Sequence, residues 1–443
     1  MREASETKTM DLKTTLVAAI IAFSVAALAS RIDLRGGTSA RSAIAPQLGV
    51  MGPSYSSLLT DVTQRIDGMQ KRANGRPEDW LIRMHLGTVL LERAGLTNHI
   101  ADFGRVEAVL DDAMAIAPAG SGPALLGARF NFSIHRLDAA EKYLDIIDRR
   151  AVPRRDDQIG AQVLRAEIAL QRGQYQAAFD GLTAAAAVEP ASANAELALY
   201  HAKTGDPLKA EAMLADALQS TDKTDPRRRA WIKLQLGIVA MDRGELLVAL
   251  EHLQGADAEL AGWWLVQEQI AEVHSRRDHH DKAIAIYEEL VRTADLPQHM
   301  DALAALYRHM GKPEQAEALI VQSAARWEQQ LARFPESAMG HGLQHHLQFG
   351  PPKRALELAL DNYAARPGGD AQVLLAMAYL QSGQAAEALA VIEKTLASPY
   401  RTARLHDVAA TTYAALANTA AAEEQASLRL ALNPWYSSDD HSH

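Results

Sequence analysis

Eight turn residues recur along this chain at nearly constant spacing. Gly173, Gly205, Gly244, Asp278, Gly311, Gly350, Gly383 and Ala417 stand 32, 39, 34, 33, 39, 33 and 34 residues apart. A period of that length marks one unit of two helices and a turn used repeatedly, because such a unit cannot bury its apolar face alone and must stack on a copy of itself. The expected fold class is all-α, an α-solenoid of about ten helix pairs. Apolar residues make up 48% of the 443-residue chain and aromatic residues 5%, a composition suited to helices that approach closely through alanine. No break in composition divides the repeats, so a single elongated domain is expected over residues 55–434.

Apolar periodicity places a lead-in helix over 55–73, where Leu58, Leu59, Val62, Ile66 and Met69 repeat at close to helical spacing. Pairs follow at 78–95 with 102–117, 121–134 with 138–150, 157–172 with 175–189, 192–204 with 207–220, and 227–243 with 246–256. Five more lie at 261–276 with 280–293, 297–310 with 313–334, 336–349 with 352–366, 370–382 with 385–397, and 401–416 with 419–432. The same spelling returns inside them. One unit carries Leu236-Gly237, Ala249, Leu253 and Ala256, and another Leu303-Ala304, Tyr307, Gly311, Ala316 and Ile320. A third has Leu375-Ala376, Tyr379, Gly383, Ala388 and Ile392, and a fourth Ala166, Gly173, Tyr175, Ala178, Ala185 and Pro190. A small residue midway along the first helix lets the second cross closely, alanine in the second leaves room for the next pair, and proline ends the unit.

Over roughly residues 78–434 this spelling resembles the tetratricopeptide repeat family. The resemblance implies a right-handed superhelix whose first helices line an inner, concave wall, with a protein or peptide partner held in the groove. Polar residues of those helices are then the candidate contacts: Glu268, Glu272 and Arg276 at i, i+4 and i+8 on one helix, and Asp301, Arg308 and His309 on the next. Two features depart from the family pattern. The large aromatic that opens the first helix is mostly absent, and the two 39-residue spacings place insertions near 221–229 and 326–336, where the superhelix is expected to be irregular.

Residues 16–29 (LVAAIIAFSVAALA) form an apolar run preceded by Lys8 and Lys13 and ending in Ala27-Leu28-Ala29. Its length suits a signal-peptide core, and Ala-x-Ala suits a signal peptidase, with cleavage expected after Ala29. An uncleaved membrane anchor is the alternative, since Thr14 and Ser30 extend the run and the acidic Glu3, Glu6 and Asp11 offset the flanking cations. Either outcome puts the repeats outside the cytoplasm, periplasmic or anchored in the inner membrane and facing the periplasm. Residues 1–30 are thus read as signal or anchor, 31–54 as a flexible linker, and 435–443 as a disordered polar tail.

Net charge is −10, and no basic stripe is longer than Arg227-Arg228-Arg229, which excludes the electrostatic footprint of nucleic-acid binding. The absence of cysteine excludes disulfides, thiol nucleophiles and thiolate metal sites. Gly-x-Ser-x-Gly, Gly-x4-Gly-Lys-Ser/Thr and His-Glu-x-x-His are all missing, so neither an enzyme nor a cofactor is expected. His341 and His345, four residues apart on one helix, are the candidate metal ligands, with His309 or His299 as a third. His441 and His443 lie in the polar tail, and His274, His279 and His280 crowd one turn where a pH-sensing role competes with plain exposure. In Trp263-Trp264 one ring is expected to pack inward and the other to lie nearer the surface.

The function read from the sequence is a non-catalytic scaffold of a bacterial-type cell envelope that binds a protein or peptide in its groove as part of a larger assembly. The alternative is a metal-handling accessory protein using the His-x3-His pair. The membrane is a partner only through an uncleaved N-terminal segment, and apolar Leu428 and Leu430 on the last helix leave self-association open.

Overall fold

The computed structural model describes residues 53–152 and 154–436. The signal or anchor segment, most of the linker, His441 and His443 lie outside the described residues. Twenty-one α-helices and no named strand occur among those described. Helix α1 (Tyr55–Gly75) leads into ten pairs. The first five are α2 (Trp80–Thr97) with α3 (Ile100–Ile116), α4 (Ala124–Ser133) with α5 (Leu137–Asp148), α6 (Arg155–Gln171) with α7 (Tyr175–Val188), α8 (Pro190–Lys203) with α9 (Pro207–Ser220), and α10 (Pro226–Asp242) with α11 (Leu246–Glu259). The second five are α12 (Trp264–Arg276) with α13 (His280–Thr293), α14 (Pro297–His309) with α15 (Pro313–Arg333), α16 (Pro335–Gln348) with α17 (Pro352–Ala365), α18 (Gly369–Gln381) with α19 (Ala385–Leu396), and α20 (Ala403–Ala415) with α21 (Thr419–Leu432). The chain is an all-α solenoid.

Local chemistry sets these boundaries. Side chains of Asp79, Asp206, Asp225, Thr402 and Asn418 accept backbone N–H groups at helix starts, satisfying donors that have no partner inside the helix. Proline opens α8, α9, α10 and α14 to α17, where its missing N–H costs nothing. Inside the pairs the chain reverses through a left-handed residue at Gly173, Gly205, Gly244, Asp278, Gly311, Gly383 and Ala417. Asn98 and His135 adopt the same conformation and turn the first two pairs without glycine.

The two helices of a pair are buried differently. Second helices bury one narrow stripe, such as Ala249, Leu253 and Ala256 in α11 or Ala388, Ile392 and Thr395 in α19, and turn the rest outward. First helices are enclosed nearly all round, as in α10, where twelve residues from Arg228 to Met241 are buried. The joints within pairs are tight. A Cβ on Gly127 would meet the Tyr143 ring at 2.5 Å, and one on Gly237 would meet Leu253 at 2.7 Å.

First helices are so enclosed because the coil closes on itself. Pairs of the first turn meet elements five or six pairs further on, through contacts between residues far apart in sequence. Trp264 Nε1 donates to the Leu96 carbonyl at 2.6 Å, His99 Nε2 lies 2.8 Å from the Ala294 carbonyl, and the Arg401 N–H donates to the Lys203 carbonyl at 2.9 Å. Gly368 approaches the first turn so closely that a Cβ would sit 2.7 Å from the Gln171 carbonyl. One apolar cluster therefore joins residues such as Leu182 and Leu197 to Leu374 and Leu405. Both Trp263 and Trp264 are buried, correcting the expectation of one outer ring: the Trp264 indole is taken up between turns.

The insertion near 326–336 is a helical extension rather than an irregular loop. It makes α15 21 residues long and delivers Phe334, 1% exposed, against Phe103 of the first turn. Arg333 pairs with Glu107 at 2.6 Å, and Arg136 bridges Glu107 at 2.7 Å and Glu336 at 3.4 Å. The other insertion is the connection 221–225 before α10. Trp435 and Tyr436, assigned above to a disordered tail, belong to the folded end: Trp435 lies over Gly244 and Tyr436 over Arg429. Tyr436 is half-buried there, while Trp435 keeps most of its surface in solvent.

Candidate functional site between the two turns

Closure of the coil leaves a cavity of about 170 Å³ between its turns. Its first-turn wall comes from α4, α6, α7 and α8, and carries Phe132, His135, Leu170, Leu182, Leu199 and Lys203, with the acidic Glu167 and Glu196 among them. The second-turn wall comes from α16, the end of α17 and the start of α18, and carries His341, Gln344, Arg366, Asp370 and Leu374, with Tyr400 beside them. The cavity is mixed: leucine side chains line it beside a few polar groups, as small-molecule and side-chain pockets commonly do.

Its two cations differ. Lys203 Nζ donates to Asp370 Oδ1 at 2.7 Å, and Tyr400 Oη donates to the same oxygen at 2.7 Å. Burial alone would raise the Asp370 carboxyl, but the Lys203 charge and these hydrogen bonds outweigh it and hold the group below the usual carboxylate range. Arg366 instead spends only its Nε, on Asn362 Oδ1 at 2.8 Å, and no carboxylate among the described residues forms an ion pair with it. Burial lowers its pKa to about 10. The neighbouring imidazoles are neutral at pH 7: burial and the Arg366 charge bring His341 down to about 3 and push His135 well below its ordinary value.

The six groove candidates do not form one open patch. Glu272 and Arg276 are joined at 2.7 Å within the packed interior, and Glu268 lies 3.5 Å from the buried His299. Asp301, 7% exposed, accepts from Trp327 Nε1 at 2.8 Å and contacts His345 Nδ1 at 2.8 Å. Arg308 and His309 are exposed, the first over the Phe349 ring and the second against His280. The partners of the four enclosed candidates come from the same helix, the same pair or the next pair, packing that the i, i+4 spacing does not reveal.

His341 and His345 enter different surroundings. His345 is committed to Asp301, while His341 stacks on Trp327 with centroids 5.5 Å apart and planes 12° from parallel. No group of three His, Asp or Glu side chains able to hold a metal gathers among the described residues, and His299 and His309 face Trp264 and His280 respectively. Ser323 Oγ, His345 and Asp301 superficially suggest a nucleophile triad. Both contacts fall on the same ring nitrogen, 3.4 Å and 2.8 Å away, so the imidazole cannot relay a proton between them. At the histidine turn, His274 and His279 lie with their Nδ1 atoms 3.4 Å apart, and burial followed by nearby positive charge lowers the His274 pKa.

Sequence reasoning missed Lys203, Gln344, Arg366 and Asp370. A local hint existed in Pro367-Gly368-Gly369, a run that permits close backbone approach, but what it approaches lies almost 200 residues earlier.

The tetratricopeptide repeat family model matches residues 299–332, which is the seventh pair. A search of curated proteins finds no match. Among solved structures, a tetratricopeptide repeat protein from Parabacteroides merdae is 19% identical, covering 54% of this chain and 90% of its own, with a TM-score of 0.31. The pilF protein of Pseudomonas aeruginosa is 19% identical over 48% of this chain and 94% of its own, with a TM-score of 0.33. A Rap protein complexed with competence and sporulation factor is 13% identical over 81% of this chain and 99% of its own, with a TM-score of 0.43. None of these likenesses bears on what this chain binds. Residues 299–332 thus form a tetratricopeptide repeat, set in a stack of helix pairs with similarly close small-residue joints.

Proposed function

We propose that this protein is a non-catalytic scaffold of the cell envelope that holds a protein or peptide partner at the inner wall of its coil. The carrying observation is the cavity between the turns, where inner-wall side chains stay within reach of a ligand although most of that wall is covered. The mixed lining suits a single inserted side chain or chain end rather than an extended segment along the whole groove. Non-catalytic action is supported by the geometry around His345, which leaves no proton relay to a nucleophile. The apolar run at 16–29, with its Ala-x-Ala end, supports export.

Affinity purification from an envelope fraction tests the binding role when wild type is run beside Ser337→Phe, which places a ring at the cavity edge. A specific protein retained by wild type and depleted at least tenfold with the variant is the expected result. Identical retention by both would remove the cavity from the binding role. N-terminal sequencing of the mature protein reads location separately: a start at Ser30 means cleavage, a start at Met1 or Arg2 in the membrane fraction means an anchor, and recovery from the cytoplasm refutes export.

A further inference from the structure

The scaffold reading names no chemistry for the ligand, but three features of the cavity do. The first is Arg366. It sits at the C-terminal end of α17, donates one N–H to Asn362, and lays a terminal nitrogen over Gly340, where a Cβ would come within 2.8 Å of it. The other guanidinium donors have no partner among the described residues, whereas Lys203 in the same cavity is held by Asp370. A guanidinium presents a planar fork of donors that matches a carboxylate.

The second feature is Gln344, 5% exposed, whose buried Nε2 has no hydrogen-bond partner. Gln344 lies one turn beyond Gly340 on α16, on the face that lines the cavity. A buried amide donor without an acceptor is costly, and its need matches that of Arg366: both lack an oxygen. The third feature is the apolar part of the lining: Leu170, Leu182, Leu199 and Leu374 border a volume of about 170 Å³, on whose first-turn side Glu167 and Glu196 also stand, each engaged with other groups of the protein. A dry cavity of roughly 150 Å³ accepts a benzene ring, so there is room for one branched or aromatic group.

We propose that the cavity binds a carboxylate adjoining a single apolar group, with Arg366 and Gln344 donating to the carboxylate oxygens and the leucines enclosing the apolar part. Such a ligand contacts both turns at once and holds the coil closed. The chemistry has two sources, a free small acid or the C-terminal residue of a peptide. In the second case the inference rests on the scaffold reading and names the end of the partner that is recognised.

The test is isothermal titration of purified protein with 4-methylpentanoate and its uncharged analogue 4-methylpentanamide, then with a hexapeptide ending in leucine as free acid and as amide. The expected result is at least tenfold tighter binding of the acid than of the amide in one of the two series, with the acid weakened at least tenfold in Arg366→Gln and largely restored in Arg366→Lys. A free-acid preference in the first series identifies a small-molecule site, and a preference confined to the peptide series identifies a chain terminus. Equal binding of acid and amide, no binding of any probe at millimolar concentration, or an acid affinity unchanged in Arg366→Gln overturns the proposal. If Arg366→Gln loses its helical circular dichroism, the wild-type acid-to-amide ratio decides alone. Because purified protein and defined probes are used, failure here leaves the envelope capture experiment standing, and failure of capture leaves this result standing.

Discussion

Replacing His341 with phenylalanine should flatten the response of this protein to acid. The imidazole stacks on Trp327, its Nδ1 is buried without a partner, and burial, then the nearby Arg366 and His299, bring its pKa from 6.5 to about 3. Between those values the unfolded chain binds a proton that the folded chain refuses, so stability falls as the pH is lowered. Above about pH 6.5 both states are neutral and nothing is lost, and below about pH 3 both are protonated and the loss is constant. From pH 7 to pH 5 the loss from this one residue is about 2 kcal/mol. Phenylalanine keeps a flat ring on Trp327 and removes the titration. Urea unfolding followed by circular dichroism, at both pH values and one ionic strength, gives the two losses. His201, His274, His346 and His406, also shifted downward, are present in both proteins and cancel in the difference, whereas His135, lowered in small part by His341, cancels nearly. The wild type should lose about 2 kcal/mol more than the variant, and equal losses would refute a buried, neutral His341.

Three further outcomes follow from the packing. Leucine at Ala316 or Ala388, both fully buried in the stripe of a second helix, should destabilise by ~1 to 3 kcal/mol in chemical denaturation through overpacking, and an unchanged midpoint would contradict the tight joint. Ala417→Gly should do the reverse: Ala417 is exposed at φ 58°, and relief of left-handed strain exceeds the added unfolded-chain entropy by about 0.5 kcal/mol, so a lowered melting temperature would refute the argument. Phe334→Ala should cost ~3 to 5 kcal/mol and raise the radius of gyration in small-angle scattering as the turns separate; loss of stability at constant dimensions would show that Phe334 does not hold them together.

The fold was legible because its information is local. About half of the helices start at a side-chain cap or a proline, most turns within pairs pass through a left-handed residue, and the close joints use small side chains, so a period of about 34 residues carries the architecture in one unit. The turns at Asn98 and His135 escaped notice for the same reason: neither residue advertises positive φ as glycine does. The groove candidates lie on first helices, yet Glu272 is paired with Arg276 in the interior and Asp301 is held between Trp327 and His345, contacts that a family resemblance does not specify.

By itself the sequence determined the helix pairs, their boundaries and their stacking, since those contacts join residues tens of positions apart within one repeating unit. Tertiary structure alone decided that the coil closes after five or six pairs, burying the inner wall and bringing Arg366 and Gln344 into one cavity with Leu182 and Leu199. Small rotations between successive pairs add up over a turn. Whether residues almost 200 positions apart collide, miss or enclose a space depends on that sum, to which every joint contributes and which no single repeat records.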